Sequence, residues 1–111
     1  MAEFLNPFTG LTPGRKLTDR ELTRVIRLAL TAEEEAIHLY EALADATDNE
    51  LAAKVLQSVA DEERVHAGEF LRVLTLLLDD EPAKLAEGAA EVDELNKLAK
   101  KQDLPTVGNL R

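Results

Sequence analysis

Glu63 and His66 stand three residues apart in the sequence. On a helix, residues at i and i+3 project from one face, so this spacing lets a carboxylate and an imidazole reach the same point. Carboxylate oxygen and imidazole nitrogen together suit a divalent first-row ion. Iron fits this donor set, and zinc, manganese and cobalt would also bind. Glu33, thirty residues earlier, is the third residue of interest. Taken singly, none of the three is distinctive. Glu33 opens the charge run Glu33-Glu34-Glu35, and Glu-x-x-His recurs by chance in acidic helices. The neighbours Glu34, Glu35, Glu41, Asp61 and Glu62 read as solvated surface, and His66 alone reads as a surface or satisfied core histidine. The positions of the three along their helices make the argument.

Those helices are legible from their start and stop signals. Thr18 with Glu21 forms a capping box, and Leu17 with Leu22 forms the apolar staple around it. A second box, Thr47 with Glu50, restarts the chain after a turn over residues 45–49. Asp79-Asp80-Glu81-Pro82 is the next breaker. The expected helices run over about 19–44, 48–78 and 83–101. Residues 1–17 form an N-terminal arm punctuated by Pro7, Gly10, Pro13 and Gly14, residues 18–101 a helical domain, and residues 102–111 a tail with Pro105 and Gly108.

In the first helix, Leu22, Ile26, Ala29, Glu33, Ala36, Tyr40 and Leu43 alternate steps of four and three. In the second, Ala52, Leu56, Val59, Glu63, His66, Phe70, Val73 and Leu77 do the same. Each series is a heptad-like seam. A short link folds the two helices antiparallel as a hairpin. Each seam is apolar except near its middle, where Glu33 faces Glu63 and His66 at a similar height. Burying such ions without partners costs several kcal/mol each, by order of magnitude, so a cation is the natural occupant. Tyr40, two turns beyond Glu33, is either a core aromatic or a hydroxyl donor to a ligand carboxylate. His38 falls on the outer face, as an exposed histidine or a peripheral metal contact.

One hairpin cannot cover its own seam, and it supplies one Glu and one Glu-x-x-His. A di-iron carboxylate site in a four-helix bundle takes one Glu from each of two helices and Glu-x-x-His from each of the other two. A two-fold dimer of hairpins supplies the whole set and buries the seam at once. The expected fold class is therefore all-α: an antiparallel two-helix hairpin that completes a four-helix bundle by dimerisation, with a shorter C-terminal helix.

Composition narrows the partners. The chain has 111 residues, enough for one domain. It has no cysteine, which excludes disulfides, thiolate metal sites and thiol catalysis. Aromatic residues make up 4% and tryptophan is absent, leaving little for base stacking. The formal net charge of -9 disfavours nucleic acid and anionic membranes and favours metal cations. No apolar run is long enough to span a bilayer, and no secretory signal is evident, so the expected location is cytoplasmic. In the tail, Leu104, Val107 and Leu110 recur every third residue, which places them on one side of an extended polyproline-like strand. Such a segment is either a groove-binding peptide or an ordinary chain terminus.

The stretch from Ala32 through Tyr40 to Asp48, followed by Asp61-Glu62-Glu63-Arg64-Val65-His66-Ala67, resembles the encapsulated ferritins. The likeness covers roughly residues 17–78. Independently, Leu104-Pro-Thr-Val-Gly-Asn-Leu-Arg111 is similar to the short C-terminal peptide that docks cargo inside encapsulin shells. The resemblance implies a ferroxidase, built as a ring-shaped decamer of five dimers, with an iron pair held at one dimer interface. By this likeness Glu33, Glu63 and His66 match the metal ligands of both subunits. Tyr40 matches an aromatic beside the centre, and Glu35 a carboxylate of a secondary, entry-type metal site. Ala32 stands where the family can carry another acid, and Leu39 replaces an aromatic, so the entry site is incomplete here. The implied location is the interior of an encapsulin nanocompartment, whose shell stores the iron. Two other functions remain open from the residues: a rubrerythrin-like peroxidase, although no Cys-x-x-Cys electron-supply module is present, and a non-enzymatic acidic helical scaffold.

Overall fold

The computed structural model describes residues 14–101, and all its secondary structure there is helical. The docking peptide expected at Leu104–Arg111, and residues 1–13 of the expected arm, lie outside the described residues. Three helices follow in order: α1 (Asp19–Ala46), α2 (Glu50–Leu77) and α3 (Glu81–Lys101). None is long and apolar enough to cross a membrane. The chain divides into two compact units between Leu77 and Leu78. The first contains the α1–α2 hairpin and the second contains α3.

The first capping box forms as expected. The Glu21 amide donates to Thr18 Oγ1 at 3.2 Å, and the Thr18 amide donates to Glu21 Oε1 at 2.9 Å. Arg15 adds a guanidinium fork, donating from Nη1 and Nη2 to the two Glu21 oxygens at 2.7 and 2.8 Å. The Arg15 hydrogen bonds first, and the Thr18 amide second, hold the Glu21 carboxyl down at about 2 from an ordinary 4.5. A depressed carboxyl favours the folded state above its unfolded pKa, and that contribution fades as pH falls through the folded value. We therefore expect the first turn of α1 to fray as pH drops from 4.5 towards 2. Faster amide exchange at Glu21 and Leu22 over that window checks this. Glu21→Gln should fray at neutral pH and lose the acid dependence.

The second box does not form. α1 runs on to Ala46, with Thr47 as its extended C-terminal boundary (φ −110°, ψ 139°). Asn49 caps α2 instead, its Oδ1 accepting from the Ala52 amide at 2.9 Å. Thr47 Oγ1 accepts from the Asn49 amide at 3.2 Å and so shapes the turn. The physical reason is position. Glu50 is the first residue of α2, and a capping-box acid must sit in the third position to reach back.

Along α2 the residues turned most deeply inward are Ala60, Ala67 and Leu74, seven apart. Two alanines on this line let the α1 backbone come close, and Leu74 fills the space further along at 1% exposure. Much apolar surface stays uncovered. Leu43, Val73, Leu77 and Leu71 are each more than a third exposed. Gly68 sits in the interior of α2, where glycine is less favourable than alanine by roughly 1 kcal/mol. A Cβ there would meet nothing within 4 Å, so packing inside the hairpin does not require the glycine.

α3 begins at Glu81 with Pro82 next, where a missing amide donor costs nothing because first-turn amides lack helical partners. The helix therefore starts two residues before the expected 83. Lys100 and Lys101 complement the dipole at its end. Exposed pairs Lys84–Glu87 and Lys97–Glu94, both at 3.7 Å, contribute a few tenths of a kcal/mol each at most. Leu85, Val92, Leu95 and Leu98 are exposed along it.

Candidate metal centre

The antiparallel hairpin brings Glu33 of α1 level with Glu63 of α2, and His66 follows one turn along. The three residues each offer a ligand atom, and those atoms all lie within 4.8 Å of one another. His66 Nδ1 is 3.5 Å from Glu63 Oε2 and 3.7 Å from Glu33 Oε2. These separations exceed ordinary hydrogen-bond lengths. They suit two donors on one ion instead. With metal–ligand bonds of roughly 2.0–2.2 Å, donors sharing an ion stand roughly 3–4.4 Å apart. The trio thus needs a shift of a few tenths of an ångström, within side-chain reach, to close on a cation.

Burial divides the trio. The Glu33 and Glu63 side chains are 19% exposed, while His66 is 48% exposed. This corrects the expected seam. Leu56, Val59, Glu63 and Phe70 are partly buried as expected, but the most deeply buried positions are Ala60, Ala67 and Leu74, while His66 and Val73 are exposed. His66 is at the rim of the hairpin rather than inside it. At 100° per residue, one step displaces a side chain from the packed line onto the flank. Small side chains at 60 and 67 decide which of the two neighbouring lines turns inward.

Two carboxylates facing one neutral-capable imidazole make a strongly cation-attracting group. The oxygen-plus-imidazole donors suit iron, and they suit zinc or manganese as well. Three protein donors on an open flank also leave coordination positions free, as a reacting metal requires. The other residues lie apart from this trio. Tyr40 is half-buried, two turns further along the same side of α1, and its hydroxyl has no hydrogen-bond partner among the described residues. Glu35 is exposed and not among the clustered ligands, and His38 is exposed on the outer face. The sequence points to no site on the opposite flank of the hairpin, where Glu34 and Glu41 read as solvated surface, although Leu30 and Ile37, and Arg64 and Leu71, repeat at seven-residue intervals there.

A hairpin with this ligand spacing has clear relatives. The rubrerythrin family model matches residues 17–103. The chain belongs to the rubrerythrin family, in its encapsulated-ferritin branch. It is 54% identical over 86 residues to a Myxococcus xanthus protein named encapsulin nanocompartment cargo protein EncC, covering 78% of this chain and 65% of that one. It is 40% identical over 91 residues to a Pyrococcus furiosus protein named ferritin-like-encapsulin shell fusion protein, covering 82% of this chain and 26% of that one. The matches span less than two thirds of either relative's length. The crystal structure of the encapsulated ferritin domain from Pyrococcus furiosus superposes with a TM-score of 0.74 at 40% identity, covering 82% of this chain and 92% of that one. The all-α, ferritin-like fold expected from the sequence is therefore the fold of this encapsulated-ferritin chain.

Proposed function

We propose that this chain is a ferroxidase that oxidises Fe(II) to Fe(III) at a site shared by two copies. The observation that carries the reading is the trio Glu33, Glu63 and His66, which is half of a di-iron carboxylate ligand set on an uncovered flank. A two-fold copy supplies the other half and covers Val73, Leu77 and Leu43, which a lone hairpin leaves open. Metal binding should strengthen that dimer, because only the associated state completes the coordination.

Iron is the substrate. Glu33, Glu63 and His66 from both copies hold two Fe(II) ions side by side, and the shared carboxylates favour the more highly charged product. Each Fe(II) gives up one electron. Dioxygen taking the pair with two protons leaves as hydrogen peroxide, and peroxide taking the pair with two protons leaves as water. The product Fe(III) then departs for mineral storage. Tyr40 is proposed to support a ligand carboxylate through its hydroxyl. Glu35 is proposed as a carboxylate on the approach of the ions, with Ala32 and Leu39 weakening any separate site there.

The names of the relatives support a place inside an encapsulin shell. We assign docking there to Leu104–Arg111, with the chain assembled as a ring-shaped decamer of five dimers. Membership of the rubrerythrin family favours a second reading, a peroxidase that prefers peroxide as oxidant.

Oxygen consumption after anaerobic Fe(II) loading tests the proposal. A ferroxidase consumes oxygen well above the protein-free rate. A peroxidase leaves oxygen largely untouched and oxidises iron fast only with peroxide. An acidic scaffold matches the protein-free rate with both oxidants.

A further inference from the structure

The chain offers an oxidant very little to attack. It has no cysteine and no tryptophan, and its single methionine is residue 1. No thiol, thioether or indole therefore lies among the described residues. The chain has one phenol, Tyr40.

That phenol shares a side of α1 with the candidate metal centre. Seven residues separate Tyr40 from Glu33, so both leave the helix at nearly the same angle, roughly 10 Å apart along its axis. A tyrosine side chain on a helix leans back towards the N-terminus, here towards Glu33, which shortens the gap. Tyr40 is half-buried, and its hydroxyl has no hydrogen-bond partner among the described residues. The open groove of about 740 Å³ on the opposite flank, floored by Leu30, Ile37 and Leu71, has no such side chain in its lining.

We propose that Tyr40 is an electron donor to a half-filled centre, supplying the electron that a lone Fe(II) lacks. The inference rests on the ferroxidase reading above and deepens it. Two bound Fe(II) ions give both electrons that peroxide takes. One bound ion gives a single electron. The O–O bond then breaks to leave water and a hydroxyl radical, which attacks protein. Peroxide arises at the centre itself, as the product of dioxygen reduction. Tyr40 makes up the deficit. Fe(II) gives one electron, the phenol gives one electron and its proton, and solvent gives a second proton. The O–O bond breaks, two waters form, and Fe(III) and a neutral phenoxyl radical remain. The next Fe(II), with a proton from solvent, returns the phenoxyl to phenol and becomes Fe(III). Over the cycle two Fe(II) are oxidised for each peroxide reduced, as at a filled centre.

The test uses the full chain under anaerobic conditions. A single Fe(II) per pair of copies is added, then hydrogen peroxide, and the mixture is frozen for electron paramagnetic resonance. Wild type should show a tyrosyl radical that further Fe(II) removes. Tyr40→Phe keeps the ring and its packing, so it should stay helical by circular dichroism and show no such signal. Spin-trapped hydroxyl radical should rise several-fold in Tyr40→Phe at half filling, and the two proteins should trap equally little at saturating Fe(II). A purely structural role for Tyr40 would alter both fillings alike. A wild type without the tyrosyl signal, a signal that survives Tyr40→Phe, or equal hydroxyl-radical yields at half filling each overturns the inference alone. A wild type that consumes no oxygen at saturating Fe(II) sinks the ferroxidase reading and the inference together.

Discussion

A chain carrying Glu63→Ala and His66→Ala together should oxidise Fe(II) no faster than protein-free buffer. The double change removes two of the three donors that stand within 4.8 Å of one another, leaving Glu33 alone in each half-site. Removing a residue that merely supports a ligand commonly lowers metal affinity or activity by about 10–100-fold, so losing the ligands themselves should exceed that. The helix should survive the change. Alanine has the highest helix propensity, and neither side chain is part of the buried line of α2. Glu33→Gln offers a second reading of the same site, since it keeps the shape and removes the charge. Fast oxidation in the double variant, with helix content unchanged, would place the chemistry elsewhere on the chain.

Deleting Leu104–Arg111 should abolish loading into a co-expressed encapsulin shell while leaving iron oxidation per chain intact. The deletion begins beyond the end of α3 at Lys101, so every residue of the proposed site is retained. Leu104, Val107 and Leu110 are the candidate anchors, and burying each in a groove would stabilise the complex by roughly 1.5–3 kcal/mol before the cost of ordering the segment. A single change, Leu110→Ser, should therefore weaken docking by about ten-fold or more, since 1.4 kcal/mol corresponds to a factor of ten. Shell fractions that carry the truncated protein at the wild-type ratio would show that docking lies outside this segment.

The clustering of Glu33, Glu63 and His66 was legible in the sequence because their spacing is a local property. The three-residue step from Glu63 to His66 puts both on one helical face whatever surrounds them. Their height against Glu33 follows from a short link, which forces an antiparallel return. The first cap was equally legible, since Thr18 and Glu21 satisfy each other's backbone within one turn. The second was misread because Thr47, Asp48 and Asn49 can all cap a helix, and the choice among them depends on where α1 stops. α1 continued to Ala46, which made Asn49 the cap. The groove on the opposite flank was not read at all. Its floor of Leu30, Ile37 and Leu71 lies just beside the seams that were traced, with acids and an arginine around it that pass as ordinary surface.

The sequence by itself determined the helices, the breaks between them, the antiparallel hairpin and the types and spacing of the candidate metal donors. These depend on contacts within one or two turns and on the length of one link. Only the tertiary structure decided which line of α2 turns toward α1. A seven-residue repeat is satisfied equally by two adjacent lines, and close packing against Ala60 and Ala67 resolved the choice in favour of the smaller side chains. That rotation put His66, 48% exposed, on the rim beside two carboxylates that are each 19% exposed.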